Sequence, residues 1–180
     1  MRNADIAELV GWATGAGAKT VFVQAWGDDP GELERRGREL HALHDRVVVK
    51  LPVTAAGLTA TKRLQNDGIP VLVTAVYGAP QVMLAIAAGA TYIAPYLGRM
   101  NDAGRDGMAE IAAMQRIIDA SGTQLRILVA SLRSPHDAQC LAQRGVKDFT
   151  MAPAVWGQFL ADPLTAEAAN AFEQASAAGA

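Results

Sequence analysis

The chain of 180 residues sets 16 Lys and Arg against 18 Asp and Glu, is 51% hydrophobic and carries three histidines and one cysteine. A formal charge of -2 with no run of basic residues leaves no electrostatic footprint for a nucleic-acid backbone or an anionic membrane surface, which excludes both as first partners. The lone Cys140 offers neither an internal disulfide nor a thiolate metal cage, so the fold rests on the core of one domain over residues 1–180.

Near the amino terminus Asp5 and Glu8 interrupt the apolar residues, and no segment reaches the ~18 consecutive apolar residues of a membrane span. A cytosolic location is expected. Helical patterning over residues 5–14 is followed by a Val-rich run at 19–25 (KTVFVQA), and the alternation then continues to the end of the chain. Further strands are expected at 47–52 (VVVKLP), 70–75 (PVLVTA), 91–96 (TYIAPY), 125–131 (LRILVAS) and 148–151. Helices are expected at 31–44, 56–66, 81–88, 106–121 and 135–144, then at 154–160 and 165–178 either side of Asp162-Pro163. Residues 97–107, rich in Gly, Asn and Asp, read as a loop. Continuous apolar strands separated by helices describe a parallel sheet covered on both faces. Periodicity leaves two architectures open, an open doubly wound sheet and a (β/α)₈ barrel. The six strands fall two short of a barrel, whose usual length is ~250 residues.

The strands share one irregularity. Each of the longer ones carries a polar residue near its carboxyl end: Gln24, Lys50, Thr74, Tyr96 and Ser131. Alternation puts Gln24 on the face of Phe22, Lys50 with Val48, Thr74 with Leu72, Tyr96 with Ala94 and Ser131 with Val129. If those faces point inward, the polar groups converge where parallel α/β folds place their ligands. Lys50 has apolar neighbours in sequence and no adjacent carboxylate. Burial disfavours the charged form of an amine, and a neutral amine is the nucleophile that forms a Schiff base with a carbonyl. The structural alternative is a lysine that snorkels outward at a strand end. Tyr96, Thr74 and Gln24 could hold a proton-relaying water, and each also reads as an ordinary packed residue.

The segment 131–135 (SLRSP) leads a strand into a helix. Ser131, Arg133 and a helix amino terminus suit an anion such as phosphate, while the structural alternative makes Ser134 a cap and Arg133 a solvated side chain. Arg99 supplies a second cation near the same rim. His41 and His44 stand three apart on a helix without a clear third ligand, so no metal is expected. His136 reads as exposed, Cys140 as a core filler, and Trp26 and Trp156 as residues that line an opening or cover the core. No glycine-rich nucleotide loop or nucleophile elbow is present.

The segment VVVKLPVTAAGLTATKRLQNDGIPVLVTAVYGAPQ, followed by ATYIAPYLGRMND, resembles the small transaldolase and fructose-6-phosphate aldolase family over nearly the whole chain. The resemblance implies a barrel of lysine Schiff-base enzymes. They cleave or transfer a dihydroxyacetone unit of a ketose phosphate such as fructose 6-phosphate, with no metal or organic cofactor. It gives the nucleophile's role to Lys50, water positioning to Gln24 and Thr74, the aromatic hydroxyl to Tyr96, and phosphate contacts to Arg99, Ser131 and Arg133. Gln24 and Tyr96 resemble the aldolase branch, because transaldolases proper more often carry Glu and Phe there. The resemblance also implies a homo-oligomer.

The family opens with a strand bearing an aspartate and then a T-T-N-P-S-like segment. Neither stands upstream of Lys19, so the first two β/α units of the barrel are missing from this sequence. The competing expectation is therefore a truncated, catalytically weak or silent barrel that binds sugar phosphate or assembles with a partner.

Overall fold

The computed structural model describes residues 5–178. In chain order the elements are α1 (Ile6–Gly15), β1 (Val21–Gln24), α2 (Pro30–His41), β2 (Val47–Pro52), α3 (Ala55–Asn66), β3 (Val71–Val76), α4 (Gln81–Ala87) and β4 (Tyr92–Pro95). They continue with α5 (Leu97–Asp102), α6 (Gly107–Ser121), β5 (Arg126–Val129), α7 (Pro135–Ala142), β6 (Asp148–Phe149), α8 (Pro153–Phe159) and α9 (Pro163–Ala178). The six strands form one parallel sheet in the order β1-β2-β3-β4-β5-β6. Strand order equal to chain order is barrel winding, which settles the choice against a doubly wound sheet with its reversal of direction. The sheet curls: the Phe22 ring of β1 meets the Tyr92 ring of β4 edge-on at 5.2 Å between centroids, across the concave face. The fold is thus a curled half-barrel of six strands with flanking helices.

Alternation sorts each strand between two apolar layers. In β2, Val47, Val49 and Leu51 are fully buried, and Val49 and Leu51 pack outward with Leu33 of α2 and Leu64 of α3. Further along the sheet Val73, Ile93 and Val129 pack outward with Val82, Ile111, Met114 and Leu141 from α4, α6 and α7. The opposite faces supply a smaller inner cluster of Val48, Leu72, Ala94 and Leu128. Leu72 is wholly buried in that layer, and truncating such a leucine to alanine costs ~2–5 kcal/mol.

Helix starts follow their caps. Asp29 accepts from the N–H groups of Gly31 and Glu32 ahead of Pro30, Thr54 accepts from Gly57, and Ser134 accepts from Asp137 at 3.1 Å. Ser134 is therefore a cap.

Two departures from the sequence reading bear on the site. Residues 97–102 are helical where a loop was expected, because α5 is docked from outside: Leu97 N–H donates to the Ala130 carbonyl and Gly98 N–H to that of Ser131, each at 3.0 Å. β1, β4, β5 and β6 are also shorter than their expected runs, with β6 only two residues long, whereas β2 keeps its expected bounds. Among the described residues, β1 pairs only with β2 and β6 only with β5, so the arc has two edges.

Candidate active site

A concave cavity of about 530 Å³ runs along the inner face of the sheet, from Thr20 and Val21 at the amino end of β1 to Tyr96 and Ser131 at the carboxyl ends of β4 and β5. Its floor includes Leu72, Ala94 and Leu128 of the inner layer. Lys50 enters it from β2, Tyr96 from the end of β4, Arg99 from α5 and Ser131 from the end of β5. Thr20 and Thr150 complete the polar lining at the two edge strands.

Lys50 lies inward because it stands two residues beyond Val48 on one face of β2, paired in register with Gln24 on one side and Leu72 on the other. It is half-buried against apolar side chains. No ion pair to its ammonium occurs among the described residues.

The Thr74 hydroxyl lies 2.8 Å from that of Tyr96, and Thr74 itself is 3% exposed. Backbone geometry makes that contact. Ala75 takes φ 58°, and the register against β4 shifts between Val73 and Val76. This one-residue bulge leaves Thr74 on the inner face while Val73 and Val76 both pack outward.

Ser131 reaches the cavity by a different route. Its strand partner in alternation, Val129, faces the outer core, so simple alternation would send Ser131 outward as well. A left-handed φ of 61° at Ser131 turns the chain back toward the cavity. Ser131 thus lines the cavity without sharing a face with Val129.

Arg99 is exposed, with its guanidinium carbon 4.8 Å from the centre of the Tyr96 ring. The neighbouring Tyr77 side chain holds the Arg99 pKa above its ordinary value. Tyr77 in turn stands edge-on to Tyr96, with 5.7 Å between ring centroids. Sequence reasoning does not single out Tyr77; its one signal is an aromatic residue directly after an apolar strand.

Two of the expected site residues point elsewhere. Gln24 donates its amide to the carbonyls of Ala25 at 2.6 Å and Lys50 at 3.0 Å, and it lines a separate hollow with Ile6, Trp26 and Leu40. It occupies the end of an edge strand, where that neighbouring hollow competes for the side chain. Arg133 forms a two-pronged ion pair with Asp102 at the end of α5, and this hydrogen bonding holds the Asp102 carboxyl below the usual aspartate value.

The remaining sequence candidates have local partners. A His41 ring nitrogen lies 2.8 Å from the Val47 carbonyl oxygen, and His44 faces Asp45. His136 is exposed as expected, but Cys140 is only half-buried, its sulfur 3.4 Å from the His136 ring, rather than a core filler. Trp26 and Trp156 are 53% and 57% exposed. No helix among the described residues is long and apolar enough to cross a membrane.

Barrel winding with a cavity lined by Lys50, Tyr96 and Arg99 makes this an α/β chain of the barrel class with polar side chains on its inner face. Residues 4–180 match the family model described as transaldolase/fructose-6-phosphate aldolase. The chain belongs to this family. It is 42% identical over 138 residues to a "Probable transaldolase" of Hyphomonas neptunium, covering 77% of this chain and 64% of that protein. A "Probable transaldolase" of Heliobacterium modesticaldum is 41% identical over 128 residues, covering 71% and 60%. One of Agathobacter rectalis is 34% identical over 169 residues, covering 94% and 76%. The chain thus spans less than two thirds of the length of the first two relatives.

Among solved structures, 3-keto-L-gulonate-6-phosphate decarboxylase from Vibrio cholerae O1 superposes with a TM-score of 0.56 at 16% identity, over 73% of this chain and 62% of that one. Mandelate oxidase superposes with a TM-score of 0.58 at 16% identity, over 81% and 51%. At that identity the likeness concerns the fold alone.

Proposed function

We propose that this chain carries the nucleophile and phosphate contacts of a lysine Schiff-base aldolase or transaldolase acting on ketose phosphates. The observation that carries the reading is Lys50, unpaired at the carboxyl end of β2 and open to a cavity that also receives Tyr96, Arg99 and Ser131. Lys50 Nζ adds to the ketone carbon of a substrate such as fructose 6-phosphate, and the carbinolamine loses water to give an iminium. The α–β carbon–carbon bond then breaks. Its electron pair moves toward the iminium nitrogen while the β-hydroxyl gives up its proton, releasing an aldose phosphate and leaving a dihydroxyacetone enamine. Protonation and hydrolysis of the enamine complete cleavage, and its attack on a second aldehyde completes transfer. The chemistry requires no metal or organic cofactor.

The paired hydroxyls of Tyr96 and Thr74 hold the water that carries the proton. Gln24 joins them only by giving up its bonds to the Ala25 and Lys50 carbonyls. Arg99 and Ser131 take the phosphate, and Arg133 joins them by leaving Asp102. Gln24 and Tyr96 favour the aldolase branch, which accumulation of free dihydroxyacetone in the absence of an acceptor aldehyde would distinguish from transfer. The reading extends to a cytosolic homo-oligomer, and α9, which buries none of its residues within the chain, supports the assembly.

The test is intact mass after incubation with fructose 6-phosphate or dihydroxyacetone and sodium borohydride. A reduced adduct is expected on the wild-type chain and none on Lys50→Met. An adduct retained by Lys50→Met overturns the assignment. No adduct on a folded wild-type chain overturns the Schiff-base reading for this chain.

A further inference from the structure

Arg99 and Arg133 both stand beside the backbone contact that docks α5 on the end of β5, and they point different ways. Arg99 lines the cavity. The guanidinium of Arg133 is instead turned to Asp102, three residues after Arg99 on the same helix. Both oxygens of that carboxylate are taken: Arg133 Nη1 donates to Oδ1 at 2.7 Å and Nη2 donates to Oδ2.

The base of the guanidinium nevertheless lies next to the cavity. A Cβ placed on Gly98 would stand 2.6 Å from Arg133 Nε and 3.0 Å from the Ser131 hydroxyl oxygen, so that nitrogen and that hydroxyl flank one point on α5. Ser131 itself lines the cavity. Only the tips of the Arg133 side chain therefore have to swing for it to exchange the Asp102 carboxylate for an anion held by Ser131.

Such an exchange is selective by charge. A carboxylate already satisfies the arginine fork with two oxygens and one negative charge. A neutral sugar hydroxyl offers Arg133 less than Asp102 does and leaves the pair intact. A phosphate monoester carries about two negative charges at pH 7 and three acceptor oxygens, enough to take the fork while Arg99 and Ser131 hold its other oxygens.

From this geometry we infer that Asp102 is a specificity-determining residue, an internal anion that holds Arg133 off the cavity until a phosphate displaces it. The inference rests on the reading of the cavity as a sugar-phosphate site and goes further by naming what competes for it. Helix α5 then carries two opposed groups one turn apart: Arg99 binds the phosphate, and Asp102 weakens its binding by keeping the second cation engaged.

Asp102→Ala removes the competitor. Both partners are more than half exposed, so the variants are expected to fold as wild type does. Inorganic phosphate is titrated by calorimetry into full-chain wild type, Asp102→Ala, Arg133→Ala and the double variant, all at one ionic strength because salt screens an exposed pair. Asp102→Ala is expected to bind phosphate about twofold to fivefold more tightly than wild type, the span set by the strength of exposed ion pairs. In the Arg133→Ala background the same change is expected to have no effect.

Equal or weaker binding by Asp102→Ala overturns the inference. So does the same tightening in the Arg133→Ala background, which would be plain repulsion between Asp102 and the anion. Phosphate bound by neither wild type nor Asp102→Ala overturns the inference together with the phosphate contacts, whatever borohydride trapping shows at Lys50. Tighter binding by Asp102→Ala on a chain that forms no Lys50 adduct leaves the inference standing and overturns the Schiff-base reading alone.

Discussion

Asp102 and Arg133 show how a residue readable in the sequence acquires a partner that is not. They stand 31 positions apart, and nothing in either local segment pairs them. Both side chains are more than half exposed, so the pair adds little to stability. Its effect is on orientation and titration. Because Arg133 depresses the folded pKa of Asp102, the pair is intact above the ordinary aspartate range and is lost as pH falls through the folded value. Arg133→Ala should return the Asp102 titration upward toward the ordinary aspartate value, followed by its carboxyl carbon resonance against pH. A titration unmoved by the substitution would show that the pair does not form in solution. Lys50, Thr74 and Tyr96 were legible because a polar group inside an apolar strand is conspicuous. Gln24 was equally conspicuous, but an edge strand offers its amide a second place to go.

At the scale of elements, β2 and β3 are where the sequence reads most clearly. Each is a long apolar run buried by neighbours on both sides. Helix α5 is the counterexample, since its Gly, Asn and Asp content argues for a loop and the helix is held by bonds from elsewhere. Gly98 makes that docking possible. A methyl group there would come within 2.6 Å of both the Ser131 carbonyl oxygen and Arg133 Nε. Gly98→Ala should therefore push α5 off the end of β5, with a loss of ~1–3 kcal/mol in denaturant unfolding and weaker phosphate binding through displaced Arg99. Unchanged stability and phosphate affinity would show that the contact relaxes without moving the helix. The bulge at Ala75 and the turn at Ser131 were likewise beyond sequence reading, because neither residue is the glycine that usually marks a left-handed position.

Over the whole molecule, α8 and α9 leave Trp156, Leu160, Leu164 and Phe172 between 57% and 84% exposed. A helix of 16 residues with none buried draws little support from its own chain. If this surface is the contact of the proposed homo-oligomer, Leu164→Ser with Phe172→Ser should lower the sedimenting mass at a fixed concentration. A mass equal to wild type would remove α9 from the interface. The class of fold was legible from alternation, whereas the choice between barrel and open sheet was not, because it depends on which strands become neighbours.

That neighbour order also governs how the molecule is made. Each strand after β1 pairs with the one synthesised just before it, across one helix or, between β4 and β5, across two, so no pairing has to wait for a distant part of the chain. A parallel pair forms only after its crossover is closed, and here every crossover joins strands that are neighbours in sequence, which keeps that closure cost low for a parallel sheet. The sheet can therefore grow strand by strand as the chain leaves the ribosome. β6, two residues long and, among the described residues, bonded on one side, is the last of the described strands to be laid down and one from which unfolding can start.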